Sequence, residues 1–194
     1  SGLHSSTLLE PLKNRGAAVA SAHPVHSFAN PAQSLTSYHG TACTIEGDPL
    51  ATIRLGDLFS NIGSSVIPLS AAGKAVYHAA TVVASNYLVA LQQISQDMLV
   101  QAGMGAIDAQ RILQPLMDQS LLNIRDNGSV NALTGPVSRG DIQTLTKHID
   151  AIAREIPQYL PAYKELGKVA VRIARDQQQL GESRLGEMTA LFSS

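Results

Sequence analysis

Three polar side chains, Lys74, His78 and Asn86, stand in the most apolar stretch of the sequence, residues 71–91. Lys74 and His78 are four residues apart, so on a helix they share one face, one turn apart. Buried polar groups cost free energy unless they are hydrogen-bonded, so their presence here needs a reason. A substrate pocket is one reason, because lysine or histidine can give a proton to a carbonyl group and asparagine can orient its oxygen.

The same side chains also fit a purely structural interpretation. Lys74 would then be exposed at the start of the helix, and His78 and Asn86 would be hydrogen-bonded core residues. The pattern leaves both interpretations open. Within the first, it does not choose between Lys74 and His78 as the proton donor.

A second candidate site is the segment 128–140, which reads GSVNALTGPVSRG and leads into a helix that begins at Asp141. The free N–H groups of a helix N-terminus, with Arg139 beside them, would bind a carboxylate or a phosphate. The alternative is an ordinary connection in which Asp141 caps the helix. Thirteen residues is long for such a connection, which favours a functional loop.

Four of the six histidines lie before residue 40, namely His4, His23, His26 and His39. Zinc could bind such residues, with Cys43 nearby, but no pair has zinc-finger or HExxH spacing, so no metal site is predicted. The sequence also has no G-x-S-x-G motif for a nucleophilic serine. Because it has neither a G-x-G-x-x-G nor a Walker motif, the chain alone is not expected to bind a dinucleotide.

The composition predicts a folded, soluble protein: 44% of the 194 residues are hydrophobic, 15% are charged, and the net charge is −1. No basic excess points to nucleic acid as a partner, and no polybasic run points to a membrane surface. The single cysteine excludes an intrachain disulfide, and the N-terminus lacks a signal-peptide pattern. Lys74, His78 and Asn86 interrupt the longest apolar stretch, which argues against a transmembrane helix. A cytoplasmic protein is expected.

The composition changes near residue 70 and predicts two parts, 1–70 and 71–194. The first is a small α/β segment. Its predicted elements are a short helix ended by Gly16, a strand within 17–22 ended by His23-Pro24, a polar loop over 25–40, and strands within 41–46 and 65–69. Asp48-Pro49 predicts a helix to about Ile62, with Asp48 as its cap and the proline in its first turn.

The second part predicts one helix after another. The first of them, about 71–102, is apolar nearly all round before Leu91 and is expected to be buried there, while its length suits a central or dimer-spanning helix. The remaining predicted helices are 106–127 with a kink at Pro115, 141–155 with a core face from Ile142 to Ile156, 158–179 and 182–193.

Four segments, in this order, carry a resemblance to one family: SAHPVHSFA at 21–29, TIEGD at 44–48, KAVYHAATVVASNYLVAL at 74–91 and ALTGPVSRGD at 132–141. They resemble Rossmann-like oxidoreductases that carry the C-terminal domain of unknown function 2520. That family is grouped with the 6-phosphogluconate dehydrogenase C-terminal-like proteins, which include ketopantoate reductases. The resemblance covers nearly the whole chain.

The resemblance implies a mainly α fold, in which a 6-phosphogluconate dehydrogenase C-terminal-like helical domain follows a small α/β remnant of a Rossmann-like domain. Ser1-Gly2 resembles the Ser-Gly that ends a late strand of that domain, so most of a dinucleotide-binding domain would precede this chain. NAD(P) would bind the full-length protein, and the chain alone would hold no cofactor and be inactive. The helical part would supply substrate contacts and a homodimer interface.

The resemblance also implies roles for individual residues. Lys74 or His78 would donate the proton and Asn86 would orient the substrate oxygen, although the wider group has an asparagine one turn after the lysine, where this chain has His78. Thr134, Gly135, Arg139 and Asp141 would bind substrate, with Thr134 and Arg139 holding its carboxylate. His23 and Pro24 would lie near the nicotinamide.

Two functions follow as expectations. The first is part of an NAD(P)-dependent oxidoreductase that reduces a small oxo acid or imine, for which ketopantoate-type reduction is one reaction. The second is a non-catalytic helical dimerisation or interaction module, which the apolar face of the long helix supports equally. A reductase requires its polar residues to converge on a pocket, whereas a dimerisation module does not.

Overall fold

The computed structural model describes residues 1–28 and 30–194, which form two compact units, Ser1–Ala90 and Leu91–Ser194. Helices dominate, and one three-stranded sheet lies in the first unit. The predicted fold class, mainly α with a small α/β region at the start, is therefore confirmed. The functional division at residue 70 stays a prediction. No helix within the described ranges has both the length and the apolarity that crossing a bilayer requires.

The sheet of the first unit has the order β1-β2-β3, with strands at Ala20–Pro24, Ala42–Gly47 and Ser65–Pro68. β1 and β2 are antiparallel, whereas β2 and β3 are parallel. The second and third strands lie where the sequence predicts them. The first begins later and includes His23 and Pro24, which were expected to end it, because both residues pair with β2.

The segment 25–40 is not the predicted polar loop, because helix α2 occupies Pro31–Ser37. The side chain of Asn30 accepts hydrogen bonds from the N–H groups of Ala32 and Gln33, and Pro31 fills the first turn. Asn-Pro is thus a helix start of the same kind as Asp-Pro. A short 3₁₀ turn, Ser6–Leu9, and helix α1, Glu10–Lys13, precede Gly16 as predicted.

Helix α3 covers Pro49–Asn61, close to the predicted range. Asp48 precedes it but does not cap it, contrary to the prediction. The Asp48 carboxylate instead accepts hydrogen bonds from Lys13 Nζ at 2.6 Å and from the N–H of Val19 at 3.0 Å. It therefore ties α1 and the start of β1 to α3.

Helix α4 follows a 3₁₀ turn at Ala71–Gly73 and covers Lys74–Gln101. The expectation that its first half is buried is wrong. Val76 is 77% exposed and Val89 is 70% exposed, and in the whole helix only Lys74 is buried. The apolar pattern correctly predicts a helix, but no described part of this chain covers that surface.

The second unit contains the end of α4 and helices α5 to α9, at Ala106–Ala132, Gly135–Ser138, Ile142–Glu155, Leu160–Asp176 and Glu182–Ser193. α5 passes through Pro115 and leaves helical geometry at Gly128, where φ is 73°. The residue of α5 with non-helical dihedral angles is thus Gly128, a glycine that can adopt positive φ, and not Pro115. The predicted loop 128–140 is also mostly helical, because α5 continues to Ala132 and α6 follows.

The core of the second unit joins α7, α8 and α9. Its buried residues are Leu145, Ile149, Val171, Ala174, Leu185, Met188 and Phe192. The three-four spacing predicted for α7 is confirmed by Leu145, Ile149 and Ile152, all of which are buried. Gly167 of α8 lies against the ring of Phe192, which leaves no room for a side chain at that position.

Candidate functional site

An open cleft of about 350 Å³ lies in the first unit, between the end of β1 and the first half of α4. Residues from 23–27 form one wall and residues from 78–86 form the other. Its polar lining consists of His23, His26, Ser27, His78, Thr81, Ser85 and Asn86. His23 therefore shares one cleft with His78 and Asn86, which were predicted as part of a different set.

His23 projects from β1 and is fixed by Tyr77. Its Nδ1 lies 2.7 Å from the Tyr77 hydroxyl, and the two rings meet edge to face. The ring centre of His78 is 6.2 Å away from that of His23. Burial lowers the pKa of His23, so its imidazole stays neutral to a lower pH than a free histidine does.

Gly2 packs directly against the two imidazoles. A Cβ atom at this position would lie 2.4 Å from Cδ2 of His78 and 3.0 Å from Cε1 of His23. Gly2 is buried, and only a residue without a side chain leaves both rings where they are. Sequence reasoning did not assign this role to Gly2.

Lys74 does not line the cleft and is not exposed, so the purely structural interpretation placed it wrongly. Its Nζ donates to Ser21 Oγ at 2.5 Å and lies 3.4 Å from Glu46 Oε1, and the side chains of Lys74 and Glu46 are 2% and 3% exposed. Glu46 also accepts hydrogen bonds at 2.7 Å from the N–H and the hydroxyl of Ser6. The ammonium and the carboxylate thus satisfy each other inside the unit.

Glu46 was missed by sequence reasoning although its position carries a signal. It lies in the strand pattern TIEG, next to Ile45, which is 4% exposed. A carboxylate at a buried strand position requires a cation. The cation, Lys74, follows 28 residues later, so the pair could not be identified from local spacing.

Pro24 pairs with Cys43 in the β1–β2 register and is not among the lining residues of the cleft. Cys43 is completely buried, and this burial raises the pKa of its thiol. Within residues 1–28 and 30–194, no group of three His, Cys, Asp or Glu side chains is arranged to hold a metal ion.

The predicted anion site before α7 is already filled by the protein itself. The carboxylate of Asp141 accepts from the N–H of Thr144 at 3.1 Å and from its hydroxyl at 2.7 Å. These hydrogen bonds hold the pKa of Asp141 below its usual value. Asp141 is therefore the helix cap of the alternative interpretation, and its negative charge would repel an incoming anion at the same N-terminus.

The other predicted residues of that segment flank or begin the four-residue helix α6. Thr134 and Arg139 are exposed at its two ends, and Gly135 has a φ of 83°. All three belong to the second unit, whereas the cleft belongs to the first. Their predicted role in substrate binding stays a prediction.

Comparison with known proteins identifies the family of the chain. Residues 41–170 match the family described as "Domain of unknown function (DUF2520)". None of the curated proteins matches the chain.

Two crystal structures have a similar fold. Protein TM1727 from Thermotoga maritima has a TM-score of 0.78 and 26% identity, over 92% of this chain and 68% of that protein. BF3122 from Bacteroides fragilis, which is called a "putative NADP oxidoreductase", has a TM-score of 0.66 and 14% identity, over 93% of this chain and 63% of that protein.

This chain thus spans less than two thirds of the length of BF3122, and their low identity establishes a shared fold alone. The wider grouping with 6-phosphogluconate dehydrogenase C-terminal-like proteins stays a prediction. Because the family match covers most of the chain, the protein belongs to the family of domain of unknown function 2520.

Proposed function

We propose that this chain is the substrate-binding part of an NADP-dependent oxidoreductase that reduces a small oxo acid or imine, such as a ketopantoate-type 2-oxo acid. The observation that carries the proposal is the convergence of His23, His78 and Asn86 on one cleft. The fold shared with BF3122 gives NADP as the first cofactor to test. That likeness does not favour the alternative of a non-catalytic interaction module.

The cofactor would be held mainly by residues outside this chain. The residues of the cleft offer imidazole, amide and hydroxyl groups, which can form hydrogen bonds to the amide of a nicotinamide. Among them, His23 is proposed to make this contact. The described residues offer no glycine-rich strand-to-helix turn for a pyrophosphate. When bound, the nicotinamide supplies the hydride, because no side chain can do so.

We propose His78, rather than Lys74, as the proton donor. The Lys74 ammonium is held by Ser21 and Glu46 and does not reach the cleft. The His78 imidazole lines the cleft, where its imidazolium form could pass a proton to the oxygen or nitrogen of the substrate as hydride reaches carbon. Asn86 would hold that oxygen in position.

The test uses the full-length protein with NADPH and a panel of 2-oxo acids and cyclic imines. NADPH oxidation is followed by absorbance. His78→Gln is expected to lower kcat by at least about a hundredfold, in line with the loss of a general acid, whereas His148→Gln, outside the cleft, retains kcat. Absence of NADPH binding, or full activity of His78→Gln, would refute the proposal.

We further propose that the exposed face of α4 binds a second copy of the chain. Val76, Val83 and Tyr87 follow one another at helical spacing and are 77%, 57% and 57% exposed. An apolar stripe of this kind is expected to be covered in the assembled protein. Val83→Asp should convert a dimer into monomers in light scattering, whereas Ser120→Asp on the exposed α5 surface should not.

A further inference from the structure

We propose that the histidine-lined cleft binds the anionic group, a carboxylate or a phosphate, of a small ligand through His23, His26 and His78. His26, which has no role in the proposed function, would then be a ligand-binding residue. This inference rests on the proposed function in one respect, namely that the ligand is the substrate or the cofactor of a reductase.

The charge of the cleft lining favours an anion. It combines three imidazoles with the hydroxyls of Ser27 and Ser85 and contains no carboxylate. Every ion pair of the described residues is made by a lysine or an arginine, so no imidazole is neutralised by an acidic neighbour. An imidazolium formed in this cleft therefore has no compensating charge from the protein, and a ligand can supply it.

His23 contributes a neutral donor. Within this proposal the Tyr77 hydroxyl donates to Nδ1 across the 2.7 Å contact, because a phenol is a stronger acid than the N–H of a neutral imidazole. The proton of the neutral ring then resides on Nε2, which becomes an N–H donor. Tyr77 thus fixes the tautomer of His23.

His26 and His78 are the other two imidazoles of the proposed site. The Nε2 and Nδ1 atoms of His26 lie 3.4 Å and 3.5 Å from the hydroxyls of Ser37 and Thr41, which can orient the ring but cannot neutralise it. The titratable groups around the three imidazoles are the Ser1 amine, Tyr38, Cys43, Glu46, Lys74 and Tyr77. Glu46 carries the only carboxylate of this set, and this carboxylate already accepts hydrogen bonds from Lys74 and Ser6.

The experiment records the side-chain nitrogen resonances of all six histidines by NMR while a probe is added at constant ionic strength. The probes are oxamate, its neutral counterpart oxamide, and inorganic phosphate. His4, His39 and His148 do not line the cleft and serve as internal controls. Saturable shifts of His23, His26 and His78 with oxamate or phosphate, but not with oxamide, are expected.

The affinity for the anion is expected to rise about tenfold from pH 8 to pH 6, because a hydrogen bond that the anion accepts from a charged donor is stronger than one from a neutral donor. His26→Gln and His78→Gln should each flatten this pH dependence, and His148→Gln should leave it unchanged. A response to oxamate points to a substrate carboxylate, and a response to phosphate alone points to a phosphate of the cofactor or of a phosphorylated substrate.

Equal shifts of all six histidines, equal binding of oxamate and oxamide, or no saturable shift would overturn the inference. This outcome is independent of the test for reductase activity. Anion binding without NADPH oxidation by the full-length protein leaves this site standing and removes the proposed function. Reduction of neutral imines by a protein that binds no anion would leave the proposed function standing and remove the anion site.

Discussion

Gly2 lies against the imidazole of His78 so closely that a Cβ on residue 2 would be 2.4 Å from His78 Cδ2. Gly2→Ala is therefore expected to turn or displace the His78 ring, with a modest loss of stability of about 1 kcal/mol, since a side chain can move where backbone cannot. The His78 and His23 side-chain resonances should both shift, and anion binding in the cleft should weaken. NMR of the variant measures both effects.

Gly56→Ala is the matched control within the same unit. The nearest atom to an added Cβ at Gly56 is Val66 Cγ1 at 3.9 Å, which is ordinary contact. This variant should leave the histidine resonances unchanged. Unchanged resonances in Gly2→Ala as well would show that Gly2 does not hold the two rings.

The sequence predicts those parts of the fold in which a local pattern and a local cause coincide. The three-four spacing of Leu145, Ile149 and Ile152 identifies the core face of α7, and Asp141 caps that helix as one of the two interpretations had it. The strand predicted at 41–46 likewise corresponds to the central strand β2. Each of these elements depends on residues within a few positions of one another.

A local sequence pattern does not predict the environment of a residue when that environment depends on residues far away in the sequence or outside this chain. Glu46 and Lys74 are joined only by folding, so the lysine was expected to lie in a pocket or in solvent and is instead part of a buried ion pair. The apolar residues of the first half of α4 indicate burial, but the described residues do not cover Val76 or Val89. The spacing of the apolar residues shows that one face of the helix is apolar, but it does not show what covers that face.

The buried pair of Lys74 and Glu46 predicts a large effect on stability. Lys74→Met removes the cation and leaves the carboxylate uncompensated, which should cost about 3–5 kcal/mol. Lys13→Met is the control, because the side chain of Lys13 is 48% exposed in its ion pair with Asp48 and solvent screens that pair, so the loss should be much smaller. Urea denaturation gives both values.

Two further measurements sharpen this test. The double variant Lys74→Met with Glu46→Gln should recover part of the lost stability, because the unpaired charge is gone. Cys43, the single cysteine, is fully buried on the same strand as Glu46, so its reaction with a thiol reagent reports the opening of the first unit. A Lys74→Met protein as stable and as unreactive as Lys13→Met would contradict the prediction.

Asp141 is expected to stabilise α7 as its cap, in a way that depends on pH. Asp141→Ala should lower the free energy of unfolding at neutral pH, because the N–H of Thr144 loses its side-chain acceptor. The hydrogen bonds from Thr144 depress the pKa in the folded state, so the stabilisation is present above the ordinary pKa of 3.8 and disappears as the pH falls through the folded value. The difference between wild type and variant should therefore shrink in acid.

Asp150→Ala is the control for the cap, because Asp150 is exposed within the same helix. It should not destabilise the protein, since alanine has the higher helix propensity. Thermal unfolding of both variants between pH 7 and pH 3 provides the comparison. A loss of stability in Asp141→Ala that stays constant over this range would rule out the carboxylate as the source of the effect.

The contact between Gly167 and Phe192 predicts that glycine-to-alanine substitutions at positions 167 and 186 change stability in opposite directions. A Cβ at Gly167 would stand 2.4 Å, 2.5 Å and 2.6 Å from three carbon atoms of the Phe192 ring, which is 1% exposed and cannot move away freely. Gly167→Ala should therefore cost about 1–3 kcal/mol through overpacking.

Gly186 of α9 has nothing within 4 Å of the position of an added Cβ, so Gly186→Ala should instead gain about 0.5–1 kcal/mol from the reduced entropy of the unfolded chain. Denaturant unfolding followed by circular dichroism measures the two variants side by side. Phe192→Leu in the Gly167→Ala background should restore part of the stability, because the smaller side chain makes room for the methyl group. If both alanine variants shift stability in the same direction, α8 and α9 do not meet through this ring.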